Sequence, residues 1–211
     1  MKEPASKRAI AYIDGQNLFN AVKEAFGYPY PNYNIRQLAE TTCAQRGWIL
    51  TEINFYTGIP DPGIDLSRHH FWVAKLAAMG TRCIRTYSRP LRYSNQLVKL
   101  PDGTLTTTLV GREKGIDIRL ALDVVRAALD NRYDVAMIFS QDQDLTEVAD
   151  EIRKIARRDD RWIKVACAFP LSPTSRNRRG INKTDWIRIN RATYDACLDP
   201  HDYRKRKALD V

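Results

Sequence analysis

Two apolar runs that each end in acid constrain this chain more than anything else in it. Ala9, Ile10, Ala11, Tyr12 and Ile13 lead into Asp14-Gly15-Gln16-Asn17, and Val135, Ala136, Met137, Ile138 and Phe139 lead into Ser140-Gln141-Asp142-Gln143-Asp144. Runs that are apolar throughout, rather than alternating, suit strands covered on both faces of a parallel sheet. In open α/β sheets ligands bind just beyond the carboxyl ends of the strands. Acids delivered there by two strands repel one another at neutral pH unless a cation lies between them, most simply Mg²⁺ or Mn²⁺. The pattern points to metal-assisted phosphoryl chemistry.

Strand-like and helical segments alternate along the chain, which is the rhythm of a βαβ protein rather than of a sandwich or a bundle. Five main strands are expected, at residues 9–13, 49–57, 82–87, 135–140 and 163–169. Helices are expected at 34–46 with Asn34 as N-cap, at 66–79 ended by Gly80, and at 116–129 and 145–155. The 211 residues, 44% of them hydrophobic, can build one core without disulfides or a structural metal. A single domain over 1–211 is expected, with its core at about 9–169 and a basic loop and C-terminal extension at 170–211, fraying from Asp199.

Two stretches break the rhythm, and both are basic. Residues 88–112 hold Leu97-Val98-Lys99-Leu100, the turn signal Pro101-Asp102-Gly103 and a second apolar run, which reads as an inserted β-hairpin near 91–110. Arg85, Arg89, Arg92, Lys99, Arg112 and Lys114 lie on or beside it. The second stretch carries Arg176, Arg178 and Arg179 in a polar loop whose composition equally suits a solvated connection. The net charge of +9 attracts polyanions, though a basic balance alone also serves solubility. Cys43, Cys83, Cys167 and Cys197 form no C-x-x-C pair, and His69 and His70 have no cysteine at zinc-ligand spacing, so reduced, buried thiols are expected. No stretch reaches the roughly 20 apolar residues of a membrane span. The charged residues 1–8 lack the apolar run of a secretory signal, so the expected location is cytoplasmic.

Most of these acidic residues also have a purely structural reading. Asp14-Gly15-Gln16-Asn17 suits a turn, with Gly15 at positive φ and Asn17 capping a helix from Leu18. Asp144 with Glu147 fits a capping box, whereas Asp142 has no such local use. Asp117 shares a helical face with Leu120, Ala121, Val124 and Ala128, which carries it toward the core and makes it the expected deepest member of the acid group. Arg112 or Lys114 could neutralise it in an ion pair. Asp123 stands within one helical turn of Arg119 and Arg126, the spacing of a surface salt bridge.

Residues 12–17 (Tyr-Ile-Asp-Gly-Gln-Asn), 114–123 (Lys-Gly-Ile-Asp-Ile-Arg-Leu-Ala-Leu-Asp) and 139–145 (Phe-Ser-Gln-Asp-Gln-Asp-Leu) resemble, in order, the three motifs of NYN domains of the LabA-like group, within the PIN-like nuclease superfamily. The resemblance implies a three-layer, Rossmann-like parallel sheet of order 3-2-1-4-5, which sets the first and fourth strands side by side. It implies that Asp14, Asp117, Asp142 and Asp144 hold divalent metal, that Asn17 and Ser140 orient the cluster, and that Asp123 is a further acidic position of the motif. Where the family has glycine between Ser140 and Asp142, this chain has Gln141, whose side chain can narrow access or require a shifted backbone.

The expected activity is that of a ribonuclease using Mg²⁺ or Mn²⁺ on single-stranded or structured RNA, with Lys114 steering phosphate or stabilising the transition state. The arginines of the two basic stretches and Lys99 would track the backbone, and Tyr28, Tyr30 and Tyr33 could stack bases or pack over the sheet. A homo-oligomer is compatible with this reading. Two rivals remain: an RNA-binding module of the same fold without useful catalysis, and a phosphohydrolase of small metabolites. The second has no use for the basic hairpin.

Overall fold

A computed structural model describes residues 1–101 and 103–204. Six parallel strands form the central sheet in the order β3-β2-β1-β6-β7-β8. They are β1 (Lys7–Asp14), β2 (Trp48–Ile59), β3 (Arg85–Pro90), β6 (Val135–Phe139), β7 (Lys164–Pro170) and β8 (Asp185–Ile189). The inserted hairpin, β4 (Arg92–Lys99) and β5 (Leu105–Arg112), forms a separate two-stranded antiparallel sheet. Its Gly103 takes φ 89°, the left-handed region that a tight turn requires, while Asp102 lies outside the described residues.

Alternation along β1 splits the core into two layers, because successive side chains leave opposite faces of a strand. Ala9, Ala11 and Ile13 pack on the layer of α1 (Gly15–Phe26), α2 (Ile35–Ala44) and α3 (Leu66–Thr81). Ile10 and Tyr12 face the layer of α4 (Ile116–Leu129) and α5 (Thr146–Arg158). A last short helix, α6 (Arg191–Asp195), sets Tyr194 into the first layer.

Several expectations need correction. The sheet carries a sixth strand, β8, because its alternating sequence Asp-Trp-Ile-Arg-Ile suits an edge and lacks the continuous apolar run of a central strand. The third strand starts at Arg85 rather than 82, since the chain first turns through Cys83 at φ 55°. Gly80 does not end α3; the helix runs on to Thr81. Gly15 has no positive φ, and the helix after β1 starts there with Asp14 itself as N-cap. Gly15 is needed for closeness instead: a Cβ would lie 2.6 Å from the Phe55 ring and 2.9 Å from the Tyr56 carbonyl oxygen. Cys83 is exposed, unlike the other three thiols. At the start of the expected frayed tail Asp199 is held, its N–H donating to the Asn32 carbonyl at 2.8 Å and its carboxylate 3.6 Å from the buried Lys75 ammonium, while residues 205–211 lie outside the described residues.

Candidate active site

Register places the two acidic strings together. Ile13 of β1 is opposite Phe139 of β6, so Asp14 and Ser140 leave the sheet side by side. Asp14 is 8% exposed; its Oδ2 accepts from the Ser140 hydroxyl at 3.2 Å and its Oδ1 from the Asn17 backbone N–H at 3.0 Å. Asn17 Oδ1 in turn accepts from the Gln141 N–H at 2.8 Å, and Ser140 Oγ accepts from the Asp142 N–H at 3.1 Å. One lattice of bonds therefore fixes Asn17, Ser140, Gln141 and Asp142 around the Asp14 carboxylate. Burial pushes the Asp14 carboxyl up to about 6; its hydrogen bonds from Asn17 and Ser140 oppose that rise, and the charges of Asp142 and Asp117 add to it.

Asp117 enters from the first turn of α4 and is half-buried, less deep than Asp14, which corrects the expected ranking. Asp117 lies in the first turn of α4, between the buried Ile116 and Leu120. Neither Arg112 nor Lys114 pairs with Asp117 among the described residues, and Lys114 is exposed. Asp142 has a local use after all, since its Oδ1 accepts from the Asp144 N–H at 3.0 Å and caps the 3₁₀ turn Gln143–Leu145. Asp144 is exposed at that turn, and its side chain does not cap α5. Asp123 stands nearly two turns beyond Asp117, with Oδ2 accepting from Arg119 Nε at 2.9 Å and from the Tyr56 hydroxyl at 3.0 Å.

Sequence reasoning passed over Glu113. It lies in the loop between β5 and α4, where its carboxylate accepts from the Gly58 N–H. Burial raises its carboxyl to about 7, the Gly58 bond lowers it, and the charges of Asp14 and Asp117 raise it further. A glutamate between Arg112 and Lys114 reads as a charge-balanced loop. Only the approach of β2 to that loop turns its side chain inward.

The group's fit to a divalent cation rests on donor chemistry. Asp14, Glu113, Asp117 and Asp142 supply only oxygens, none of them pairs with a lysine or arginine among the described residues, and two carry raised pKa values. Such a set suits a hard dication. Among the described residues no three potential ligands stand together at coordinating spacing.

A family model for the NYN domain matches residues 8–159. The chain belongs to the NYN domain family. This is a PIN-like family of nucleases that generally use divalent metals, and its members suggest an RNA substrate. A crystal structure of a protein of unknown function from Vibrio parahaemolyticus matches with a TM-score of 0.50 and 18% identity, over 90% of this chain and 96% of that one. MurG of Acinetobacter baumannii matches at a TM-score of 0.32 and 8% identity, over 86% of this chain and 45% of that one. No curated protein matches. Among the described residues of this NYN domain, no helix is long and apolar enough to cross a membrane.

Gln141, the departure from the family's glycine, does not have a positive φ, so the backbone there does not demand glycine. Its side chain is 8% exposed and points to the basic loop, with Nε2 donating to the Arg179 carbonyl at 2.9 Å and to the Asn177 carbonyl at 3.3 Å. Gln143 Nε2 donates to the Gly180 carbonyl at 3.0 Å, and its Oε1 accepts from the Asn182 N–H at 3.2 Å. Across the loop, Glu24 of α1 accepts from the Arg176 and Asn177 N–H groups. Gly180 seats the loop on the core: a Cβ there would lie 2.8 Å from both Phe169 and Trp186. The loop is thus clasped to the third motif rather than left as a solvated connection.

The remaining basic residues of the NYN domain are spread. Arg92, Lys99 and Arg112 are exposed on the hairpin, with Arg92 and Arg112 opposite each other. Arg89 donates through Nε to the Tyr87 hydroxyl at 2.5 Å. Arg85 pairs with Glu52 at 3.3 Å, away from the hairpin. Arg178 donates to the Ser172 and Pro173 carbonyls at 3.2 Å, and Arg179 to Asn182 Oδ1 at 3.4 Å. Tyr33 is fully buried against Phe55 and cannot stack on a base, and Tyr28 and Tyr30 pack against the core.

Proposed function

We propose that this NYN domain is a metal-dependent ribonuclease. The observation that carries the reading is the hydrogen bond that joins Asp14 to Ser140 at the carboxyl edge of the sheet, with the charges of Asp142 and Asp117 near enough to raise the Asp14 carboxyl and, among the described residues, no lysine or arginine paired with these acids. Asp14 and Asp142 are the residues that would hold Mg²⁺ or Mn²⁺, with Asp117 and Asp144 as further ligands or orienters of those ligands. When bound, such a cation supplies an activated water near neutral pH and offsets charge on the phosphate.

The chain's own residues would do the rest. Ser140 and Asn17 hold the Asp14 carboxylate in one orientation, and the lattice through Gln141 and Asp142 keeps the two acidic strings in register. In-line attack forms a bond from water oxygen to phosphorus and breaks the bond to the leaving sugar oxygen. The water's proton passes to a carboxylate or to solvent, and the leaving oxygen takes up a proton. Glu113, whose carboxyl lies at about 7, can hold a proton at neutral pH beside this group. The hairpin residues Arg89, Arg92, Lys99 and Arg112 and the clasped Arg176, Arg178 and Arg179 would bear on the RNA backbone, with Lys114 nearest the acids in sequence. Asp123, held by Arg119 and Tyr56, would act at most by positioning α4.

A second reading, an RNA-binding module with little catalysis, draws on the exposed Asp144 and on the lack, among the described residues, of three potential ligands at coordinating spacing. End-labelled RNA and DNA incubated with Mn²⁺, Mg²⁺ or chelator, beside an Asp14→Asn control, separate the readings. Cation-dependent RNA cleavage lost in the variant supports the nuclease. RNA binding without cleavage supports the module, and turnover of small phosphate esters alone would favour a phosphohydrolase.

A further inference from the structure

The outward side of α4 carries a second apolar stripe. At about 100° per residue, the buried Ile116, Leu120, Val124 and Ala127 take one side of the helix, and Ile118, Leu122, Val125 and Leu129 take the opposite side. Ile118 and Leu122 are each 61% exposed and Leu129 is 48% exposed, with Val125 half-buried between them. The core that α4 shares with the sheet has no use for this outer stripe. Large apolar side chains aligned along one solvent-facing helix edge make a contiguous patch, unlike the scattered exposure that is ordinary on a protein surface.

Charge narrows what can cover it. Residues 116–129 hold two acids and two bases, so the helix is neutral on a chain of net charge +9. Arg119 pairs with Asp123 at 2.9 Å and Arg126 with Asp130 at 3.9 Å, along one flank of the stripe. A polyanion or an anionic lipid surface gains most from unpaired cations, and both bases of α4 already face carboxylates. A second copy of so basic a chain meets least repulsion where the surface is neutral. The chain's own end is badly placed for the role. Arg204 lies over the Tyr30 ring at 3.8 Å, on the layer of α1, α2 and α3 across the sheet. The seven residues after it, at most about 25 Å of chain, would have to pass round the sheet to reach α4.

Spacing selects how two copies meet. The stripe advances by steps of 4, 3 and 4 residues, the seam of a packed helix pair, and the steps read the same from either end. Two antiparallel copies related by a two-fold axis therefore match side chain to side chain, Ile118 against Leu129 of the second copy and Leu122 against Val125. We propose that the outer stripe of α4 is a self-association surface, through which two copies of this chain pair as antiparallel helices. One helix pair covers less than the roughly 800 Å² per partner of a standard interface, so the dimer is reversible, with a Kd of about 10–100 µM. The proposal goes beyond the nuclease reading and does not depend on it, since pairing needs neither RNA nor a cation.

The test is sedimentation equilibrium of the full chain in chelator, without RNA, from about 2 µM to about 500 µM. The mass is expected to rise with concentration from that of one chain toward that of two. Leu122→Glu, at an exposed position, should keep the wild-type melting temperature within a few degrees and weaken association at least tenfold. Orientation is read by a thiol cross-linker spanning about 8 Å, in a Cys83→Ser background that removes the exposed thiol. In the antiparallel pair Leu122→Cys lies about 4–5 Å along the axis from its copy and Leu129→Cys about 16 Å, so only the first should link. A single chain at every concentration would overturn the proposal, as would association unchanged in Leu122→Glu or equal cross-linking of the two cysteine variants. A monomeric wild type that binds anionic vesicles, with the binding lost in Leu122→Glu, would assign the stripe to a lipid surface and overturn it as well.

Discussion

The Ser140 hydroxyl donates to Asp14 Oδ2 at 3.2 Å, joining residues 126 positions apart across the boundary between β1 and β6. This bond ties the first acidic string to the second, and through Asp142 N–H on Ser140 Oγ it sets the position of the next carboxylate. The arrangement costs stability in the metal-free protein, because Asp14 is buried among like charges with only neutral donors to help it. That cost, and the hydrogen bonds around it, govern how the protein should respond to substitution and to pH.

Asp14→Asn and Asp142→Asn are each expected to lower cation-dependent RNA cleavage by about 10²-fold or more, since each removes charge from a site that must offset a dication. Single-turnover cleavage of end-labelled RNA in Mn²⁺ measures it. A repurified variant that cuts at the wild-type rate, or wild-type cleavage undiminished in chelator, would remove the metal mechanism.

Stability without metal should fall as pH rises. Asp14 sits at about 6 against an ordinary 3.8, and Glu113 at about 7 against 4.5. A raised folded-state pKa contributes stability that is complete below the unfolded value and is lost as pH climbs through the folded one, here from about pH 4 to about pH 7. For Asp14 the loss is on the order of 3 kcal/mol. Asp14→Asn should therefore melt several degrees higher than wild type in chelator near pH 8, with the gap closing near pH 4. A gap independent of pH would contradict the assignment.

Gln141→Met keeps the length of the side chain and deletes its donors to Asn177 and Arg179. Loss of those two bonds should raise hydrogen exchange at residues 176–182 and raise KM for long RNA several-fold, with a smaller change in kcat. The ratio of kcat/KM for polymer over a dinucleotide ester should drop. If both substrates suffer equally, Gln141 acts on the acid group and not through the basic loop.

Replacing both Arg89 and Arg92 with Ala should lower the salt dependence of RNA affinity by about one to two units of slope, one for each phosphate that a guanidinium no longer neutralises. Arg89 already spends its Nε on Tyr87, so the larger share is expected from the exposed Arg92. Filter binding across a salt series reads the slope, and an unchanged slope would assign both residues to packing or solubility.

Much of the fold was legible in the sequence, because a strand covered on both faces must be apolar along its whole length, and β1 and β6 announce themselves that way. The acids at their ends and Asn34 as N-cap were equally readable, since strand ends and helix starts are local events. The edge strand β8 was not, for an edge tolerates polar residues and its pattern merges with loop composition. Tertiary structure alone decided which carboxyls are deep: helical periodicity favoured Asp117, but burial is a property of what packs around a side chain, and β2 encloses Asp14 and Glu113 instead. It alone decided that Gln141 holds the basic loop and that the Tyr12 hydroxyl has no hydrogen-bond partner among the described residues. Hydrogen-bond partners lying 36 or 38 residues away leave no mark on local sequence, because the groups meet only after the strands have been set side by side.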